Sequence, residues 1–228
     1  MMRTNEIYSS NKTIANDLIR KYEYPHMILP NIGKFIIDLG NKLSGNYILN
    51  GENIWIHEDA SVADSALIIG PCIIDQGAEV RHGAFIRGNV IVGKGSIVGN
   101  SCEIKNAILF DEVQVPHFNY VGDSILGYGS HMGAGSITSN VKSDKTNVVI
   151  KNGNDRIDTN LKKVGAFLGD NVEIGCNAVL NPGTIIGPNS VVYPLVSVRG
   201  VIGSNRIVKG IDNIVLRKER ILDERNNI

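Results

Sequence analysis

Large aliphatic side chains recur at every sixth position through most of the chain. From Ile56 to Phe110 every sixth residue is apolar, ten residues in ten positions, and the period returns from Leu168 to Val198. Small residues lie four positions after the first eight of these aliphatics, and polar residues or glycine fill most positions between. Such a hexad is typical of a parallel β-helix, in which each hexad forms one short strand and one corner. Three hexads close a triangular coil, so residues 18 apart are expected to lie on one edge, about 4.8 Å from one another.

The segments outside the hexads predict the domain organisation. Residues 12–22 and 31–44 have the pattern of short amphipathic helices. Terminal coils need a cover, because they would otherwise leave open strand edges. The sequence therefore predicts a helical N-terminal cap at 1–50, a β-helix at 51–210 with an excursion loop at 141–163, and a tail, also expected to be helical, at 211–228.

Charge and composition exclude several function classes. The 23 Lys and Arg residues equal the 23 Asp and Glu residues in number, so the chain lacks the cationic surface that nucleic acids and acidic membranes require. The first 25 residues carry charge throughout, and no apolar run approaches the roughly 18 residues of a membrane span. We expect a cytoplasmic protein that binds neither nucleic acid nor membranes. Cys72, Cys102 and Cys176 have no metal-binding spacing, so reduced thiols are expected rather than disulfides or zinc.

Two features of the repeat are candidates for chemistry. Arg87 and Lys105 are 18 residues apart and are expected to stack on one edge. At about 5 Å two unpaired cations would repel by about 3 kcal/mol at an effective dielectric of about 20, so either an anion lies between them or the two side chains splay into solvent. His117, close to Tyr120 in the segment VPHFNYVGDS, is either a general base that titrates near neutral pH or a surface histidine.

The run from Glu103 to Asn140, which contains VPHFNYVGDS and GAGSITSN, resembles a known family. It is similar to the acetyltransferase half of the bifunctional bacterial enzymes that make UDP-N-acetylglucosamine. It resembles still more closely the C-terminal β-helix of archaeal bifunctional sugar-1-phosphate nucleotidylyltransferases and amino-sugar-1-phosphate acetyltransferases. The resemblance covers residues 51–205. It implies an all-β, left-handed parallel β-helix of hexapeptide repeats, a homotrimer with active sites between neighbouring prisms, and acetyl-CoA as co-substrate.

The resemblance also implies roles for individual residues. His117 corresponds to the general base that takes a proton from the sugar amine. Lys105 corresponds to a lysine that holds the sugar phosphate, Tyr120 and Asn140 to substrate-contacting residues, and Lys145 lies near a further family lysine. Ala134 and Cys176 correspond to residues that meet the coenzyme.

The sequence departs from the family pattern at several positions. The R-x-G-A signature occurs at Arg81, which is 24 residues before Lys105, whereas Arg87 is 18 residues before it. Whether Arg81 or Arg87 meets the phosphate therefore stays open. An asparagine expected before the GAG motif is His131, and an aromatic residue expected after Asn140 is Val141.

The sequence supports two functions and argues against a third. A Gly-rich nucleotidylyltransferase loop is absent, so we expect an acetyltransferase of an amino-sugar 1-phosphate without pyrophosphorylase activity. The alternative is a non-catalytic subunit that regulates or assembles a separate nucleotidylyltransferase. A zinc hydrase with a similar fold would need two histidines five residues apart; no two of the five histidines have that spacing, and no metal is expected.

Overall fold

The computed structural model describes residues 1–9, 11–210 and 212–218. It contains three short α-helices, α1 (Thr4–Ile7), α2 (Asn16–Arg20) and α3 (Ile32–Gly40), and 3₁₀ turns at Pro25–Met27 and Leu29–Asn31. The strands of the first part are β1 (Tyr47–Leu49), β2 (Ile54–His57), β3 (Ser61–Val62), β4 (Leu67–Ile69), β5 (Cys72–Ile74), β6 (Glu79–Val80), β7 (Phe85–Arg87), β8 (Val90–Val92), β9 (Ile97–Asn100), β10 (Glu103–Leu109), β11 (Gln114–His117) and β12 (Tyr120–Leu126). Those of the second part are β13 (His131–Met132), β14 (Ile137–Thr138), β15 (Val149–Asn152), β16 (Asp155–Asp158), β17 (Ala166–Leu168), β18 (Glu173–Ile174), β19 (Val179–Leu180), β20 (Thr184–Ile186), β21 (Val191–Val192), β22 (Ser197–Val198), β23 (Val201–Ile202), β24 (Arg206–Gly210) and β25 (Asn213–Leu216).

The strands stack into three parallel ladders, one for each face of a prism. The first face is β4-β7-β10-β12-β14-β19-β22, the second is β3-β6-β9-β11-β13-β18-β21-β24, and the third is β2-β5-β8-β10-β12-β17-β20-β23. Strands β10 and β12 have seven residues each and turn a corner, so each belongs to both the first and the third face. The predicted parallel β-helix of hexapeptide repeats is confirmed.

The sixth-position aliphatics form the interior of the prism. From Ile74 to Phe110 and from Leu168 to Val198 they are at most 3% exposed. Burying each of these side chains contributes roughly 1.5–3 kcal/mol relative to leaving it in water. Ile56, Val62 and Ile68 are only partly buried, because they lie on the first coil, which has a neighbour on one side only.

Helix α3 and Tyr8 lie along the third face, so the prediction that residues 1–50 cap the end of the solenoid is wrong for these parts and agrees only with β1, which pairs with β2 on the first coil. Helix α3 packs on β5, β8 and β10, the Tyr8 ring lies 5.0 Å from that of Phe110, and the Tyr8 hydroxyl donates to the Ile125 carbonyl at 3.2 Å. These parts lie there because the third face carries an outward apolar stripe, which must be covered along its length. The stripe consists of Trp55, Ile73, Ile91, Ile108, Ile125, Phe167 and Ile185. The helices are also shorter than predicted, 16–20 within 12–22 and 32–40 within 31–44.

Antiparallel strands cover the edges at the two ends of the solenoid. Strand β1 pairs with β2 on the first coil, and β25 pairs with β24 on the last. The prediction of a helical tail is wrong for Asn213–Leu216, because its aliphatic residues pair with Arg206–Val208 in a hairpin. Residues 219–228 of the predicted tail lie outside the described part of the chain.

The segment 141–163 leaves the coil between β14 and β17. A bridge between Val141 and Lys163 closes its base, and β15 and β16 form an antiparallel hairpin within it. The hairpin packs on the prism at Gly183, where an added Cβ would come within 2.9 Å of Val148. Among the described residues, no helix is long and apolar enough to cross a membrane.

Candidate active site

Three residues singled out in the sequence lie in one column at a corner of the prism. His117 ends β11, and the backbone hydrogen bonds of successive coils run from Phe118 to Asn100, from Gly135 to His117 and from Asn177 to Ala134. A further bond runs from Leu195 to Cys176, so Asn100, His117, Ala134 and Cys176 follow one another up the corner. We call this column the His117 corner. It brings the predicted base and the two predicted coenzyme contacts together on one chain.

The backbone of His117 is fixed, whereas its imidazole is exposed. The backbone N–H of His117 donates to Oδ1 of the Asn119 side chain at 3.0 Å. Asn119 is 3% exposed and its Nδ2 donates to the carbonyl oxygens of Gly133 at 2.8 Å and Ser136 at 3.0 Å. One buried amide therefore joins two coils next to the corner and fixes the backbone of His117, whose exposed imidazole can accept a proton from a bound molecule.

A cluster of polar side chains lies on the first face, which begins at Tyr120 on the coil of His117. It contains Arg87, Glu103, Lys105, Tyr120, Asp123 and Asn140, and we call it the Lys105 cluster. Phe85 pairs with Glu103 and Ile86 with Ile104, so Arg87 continues the ladder beside Lys105 as predicted. Each cation has a carboxylate partner, because Arg87 is paired with Glu103 and the Lys105 ammonium lies 3.5 Å from Asp123 Oδ2.

Asp123 is the centre of this cluster. Its side chain is 6% exposed, its Oδ1 accepts a hydrogen bond from Asn106 at 2.9 Å, and its Oδ2 accepts one from Asn140 Nδ2 at 2.6 Å. Asn140 Nδ2 also donates to the Tyr120 hydroxyl at 3.1 Å. Two of the predicted substrate residues are thus joined through one buried carboxylate to a third, Lys105.

Burial and the charge of Asp123 raise the pKa of the Tyr120 phenol above its ordinary value. Tyr120 is therefore neutral near pH 7 and keeps its proton. Because its oxygen already accepts from Asn140, that proton is free for a hydrogen bond to a bound molecule. Gly122 leaves room for this arrangement, since a Cβ there would come within 2.4 Å of the Tyr120 hydroxyl.

Two predicted residues lie outside the cluster. Arg81 is on the second face, where it pairs with Glu79 at 2.8 Å, and its ladder neighbour is Gly99 rather than Lys105. Lys145 is exposed in a turn of the excursion segment, where its backbone N–H donates to the Lys142 carbonyl. His131, at the position of an expected asparagine, lies on the second face with its Nδ1 3.0 Å from Glu173.

Sequence reasoning missed Glu103, Asp123 and Asn119 as parts of the site. Asp123 lies inside the segment VPHFNYVGDS, and Glu103 is the first residue of the run that carries the resemblance. Both could therefore have been predicted as site residues from these motifs. Within the described ranges, no three His, Cys, Asp or Glu side chains come together as a metal site would require. A cavity of about 520 Å³ is lined by residues of the N-terminal segment, away from the His117 corner and the Lys105 cluster.

Comparisons with known proteins agree with this architecture. The family described as "GMPPB C-terminal domain" matches residues 68–154, and "Bacterial transferase hexapeptide (six repeats)" matches residues 165–200. The chain is 35% identical over 189 residues to the bifunctional protein GlmU of Methanococcus maripaludis strain C5, covering 83% of this chain and 46% of that protein. It is 31% identical over 192 residues to a bifunctional sugar-1-phosphate nucleotidylyltransferase/acetyltransferase of Sulfurisphaera tokodaii, covering 76% of this chain and 46% of the relative.

The chain thus spans about half the length of these curated relatives. Among solved structures, the acetyltransferase domain of PglB from Neisseria gonorrhoeae FA1090 is similar with a TM-score of 0.28 and 17% identity, covering 72% of this chain and 57% of that one. The parallel ladders and these matches identify a hexapeptide-repeat protein: residues 165–200 belong to the bacterial transferase hexapeptide family, and most of the chain is similar in sequence to the bifunctional relatives.

Proposed function

We propose that this protein transfers the acetyl group of acetyl-CoA to the amine of an amino-sugar 1-phosphate, with glucosamine-1-phosphate as the first substrate to test. The observation that carries the proposal is the adjacency of an exposed His117 to a cluster with two cations and a neutral Tyr120. The relatives from Methanococcus maripaludis and Sulfurisphaera tokodaii support the choice of substrate class, since one of them is named a sugar-1-phosphate nucleotidylyltransferase/acetyltransferase.

In the proposed reaction the amine nitrogen of the sugar attacks the thioester carbonyl. A nitrogen–carbon bond forms and the carbon–sulfur bond breaks. The sulfur of coenzyme A leaves as a thiolate, which then receives from His117 the proton that the amine lost. His117 accepts the proton that the amine loses, a step that contributes roughly 10²–10⁴-fold where the geometry is right. A backbone N–H would stabilise the negative charge on the thioester oxygen during the attack. No covalent intermediate on the protein is required.

In this proposal the Lys105 cluster binds the sugar phosphate and the His117 corner binds the coenzyme. Arg87 and Lys105 supply hydrogen bonds to the sugar phosphate, and Tyr120 and Asn140 bind the sugar hydroxyls. Ala134 and Cys176 lie one and two coils after His117, so a thioester along the His117 corner would meet small side chains. With the substrates bound in this way, the amine, the thioester and the imidazole would meet where the His117 corner adjoins the Lys105 cluster.

We also propose that the protein assembles as a homotrimer with this site at the junction of neighbouring prisms. Phe118, next to His117, is 63% exposed. It is a large apolar side chain on the corner that a neighbouring prism would cover. Light scattering coupled to size-exclusion chromatography measures the assembly, and a monomer at micromolar concentration would contradict the trimer.

The test is release of coenzyme A from acetyl-CoA with a panel of amino-sugar 1-phosphates, glucosamine-1-phosphate first and galactosamine-1-phosphate second. His117→Ala is expected to lower kcat by about 10² or more. The matched control is His82→Ala, which removes an exposed imidazole from the same corner two coils earlier, about 10 Å away. Loss of activity in both variants, or in neither, would contradict the role of His117. No release with any amine would favour the non-catalytic subunit of a separate nucleotidylyltransferase.

A further inference from the structure

We propose that Asp123 is a positioning residue, which fixes the direction of the Asn140 amide and the place of the Lys105 ammonium so that the site presents a defined set of donors and acceptors. The identity of the bound molecule, an amino-sugar phosphate, rests on the proposed function. The positioning itself rests on the contacts of Asp123 alone.

The backbone at Asp123 does not require a carboxylate. Asp123 lies at the bend between the first and the third face with a φ of 49°, and Asn89 and Asn106 occupy the same bend in the two preceding coils with φ of 54° and 46°. Asparagine is among the residues that adopt this left-handed conformation most readily. Asn106 and Asp123 stack directly, one amide donating to the carboxylate above it. Of the three bends at Asn89, Asn106 and Asp123, only the one whose side chain contacts Lys105 and Asn140 carries an aspartate.

The carboxylate sets the direction of the Asn140 side chain. An ionised carboxylate only accepts hydrogen bonds, so the atom of Asn140 that faces Asp123 at 2.6 Å must be the amide nitrogen. The second hydrogen of that nitrogen is directed to the Tyr120 oxygen at 3.1 Å. With both hydrogens engaged, Asn140 Oδ1 is left to accept and the Tyr120 O–H is left to donate. A sugar hydroxyl matches this pair, because it both donates and accepts.

The same carboxylate holds Lys105. The Lys105 ammonium is 3.5 Å from Asp123 Oδ2, and the two side chains are 24% and 6% exposed. The Arg87–Glu103 pair is more open, at 43% and 34%. Lys105 is therefore held by a buried carboxylate, whereas Arg87 can leave its more exposed partner to meet an anion. Asparagine at 123 would remove the charge that holds Lys105 and would allow the Asn140 amide to turn over.

The kinetic test is Asp123→Asn, with Asp170→Asn as the matched control. Asp170 is also a buried carboxylate, but its hydrogen bonds come from the backbone of Ser9 and Tyr128, which are not part of the Lys105 cluster. Asp123→Asn is expected to lower kcat/KM for the amino-sugar phosphate by about 10–100-fold, the range found when a residue that orients a ligand-binding group is replaced. KM for acetyl-CoA should stay within about twofold, and Asp170→Asn should leave both substrates within that range. An equal loss for both substrates would mark a merely structural role and overturn the proposal.

A second readout does not depend on turnover. The side-chain amide signals of Asn140, assigned in ¹⁵N-labelled protein by their loss in Asn140→Asp, are expected to shift and to exchange with solvent at least about tenfold faster in Asp123→Asn, but not in Asp170→Asn. Asp123→Gly, in which glycine accepts the positive φ without strain, should give the same result if Asp123→Asn does not fold. Unchanged Asn140 signals in a folded variant would overturn the proposal. A wild-type protein without turnover, in which the Asn140 signals still respond to Asp123→Asn, would refute the proposed function and retain the positioning role.

Discussion

Arg87 and Lys105 hold equivalent positions on successive coils, and each is paired with a carboxylate on the strand of the following coil. Glu103 partners Arg87, and Asp123 partners Lys105. The repulsion of two stacked cations is thus relieved within the chain, without the splaying into solvent that the sequence alone left open. Because the four charges cancel, a phosphate would be recognised through directed hydrogen bonds more than through net positive charge.

The position of Arg87 predicts that it, and not Arg81, contacts the phosphate of the acceptor. Arg87→Ala is expected to lower kcat/KM for glucosamine-1-phosphate by about 10–100-fold, since hydrogen bonds to charged groups are worth about 1.5–3 kcal/mol. Arg81→Ala is the control, because Arg81 projects from the second face. Steady-state kinetics with varied acceptor measure the difference. A larger effect from Arg81→Ala would place the phosphate elsewhere.

The three cysteines are expected to differ in reactivity. Cys72 and Cys102 are 0% and 1% exposed, and burial raises the pKa of both thiols, whereas Cys176 is exposed on the His117 corner. Since the thiolate is the reactive form, N-ethylmaleimide should modify Cys176 alone in the folded protein. Peptide mass spectrometry identifies the labelled residue.

Bound acetyl-CoA should slow the modification of Cys176 if the coenzyme lies along the corner. Cys176→Ser supplies the control, because it should take up no label under the same conditions. Protection by free coenzyme A but not by an unrelated nucleotide would support the assignment. Labelling that acetyl-CoA does not change would contradict it.

Leu195 is expected to be a site of stored backbone strain. It has a φ of 64° and is 78% exposed, and the corresponding corner residues of other coils include Gly83, Gly135 and Asn177. A left-handed conformation costs most residues about 1–2 kcal/mol, and asparagine tolerates it better than leucine. Leu195→Asn should therefore raise the free energy of unfolding by up to about 1 kcal/mol.

Urea titration followed by circular dichroism measures the stability of Leu195→Asn. Leu216→Asn is the control, since Leu216 is an exposed leucine in the strand β25. Equal effects of the two substitutions would show that side-chain exposure, not backbone conformation, determines the result.

The apolar stripe under the N-terminal segment predicts a large stability cost at Phe167. This side chain is fully buried on the outward side of the third face. Phe167→Ala is expected to cost about 3–5 kcal/mol in the free energy of unfolding, through lost burial and the cavity left behind. Leu49→Ala removes a large apolar side chain from a residue that is 62% exposed, and should stay within about 0.5 kcal/mol. Similar losses in both variants would contradict the packing described for the third face.

The inward half of this fold could be predicted from the sequence because one rule governs it. Each sixth side chain must fill the prism, so the hexad spacing alone predicts that Ile86 and Ile104 point inward. The same spacing predicts that Arg87 and Lys105 lie beside each other on one edge. The outward half follows no such rule. The stripe from Ile73 to Ile185 lies between sixth-position residues, and recognising it as a surface to be covered would have placed the N-terminal segment on the third face.

The residues of the site could be predicted from the resemblance, but not the contacts between their side chains. The resemblance assigned His117, Ala134 and Cys176 to one reaction, and the structure places them in one column. Counting hexads would not have done so, because the separations of 17 and 42 residues do not correspond to whole 18-residue coils. Asp123 could be placed at a bend, but its hydrogen bond from Asn140, 17 residues later, depends on how two side chains turn toward each other. The tail at Asn213–Leu216 was misread because its few aliphatic residues fit a helix face and an edge strand equally well, and pairing with β24 decides between them.

The most direct test of the account is the identity of the product. Mass spectrometry of a reaction with acetyl-CoA and glucosamine-1-phosphate, resolved against galactosamine-1-phosphate, is expected to show one acetyl group on the sugar amine with the wild-type protein and with His82→Ala. With His117→Ala the rate of its appearance should fall by about 10² or more. An acetylated product formed at the same rate by His117→Ala, or no acetylated product from any amino-sugar phosphate with the folded wild-type protein, would contradict the assignment of this corner as an acetyltransferase site.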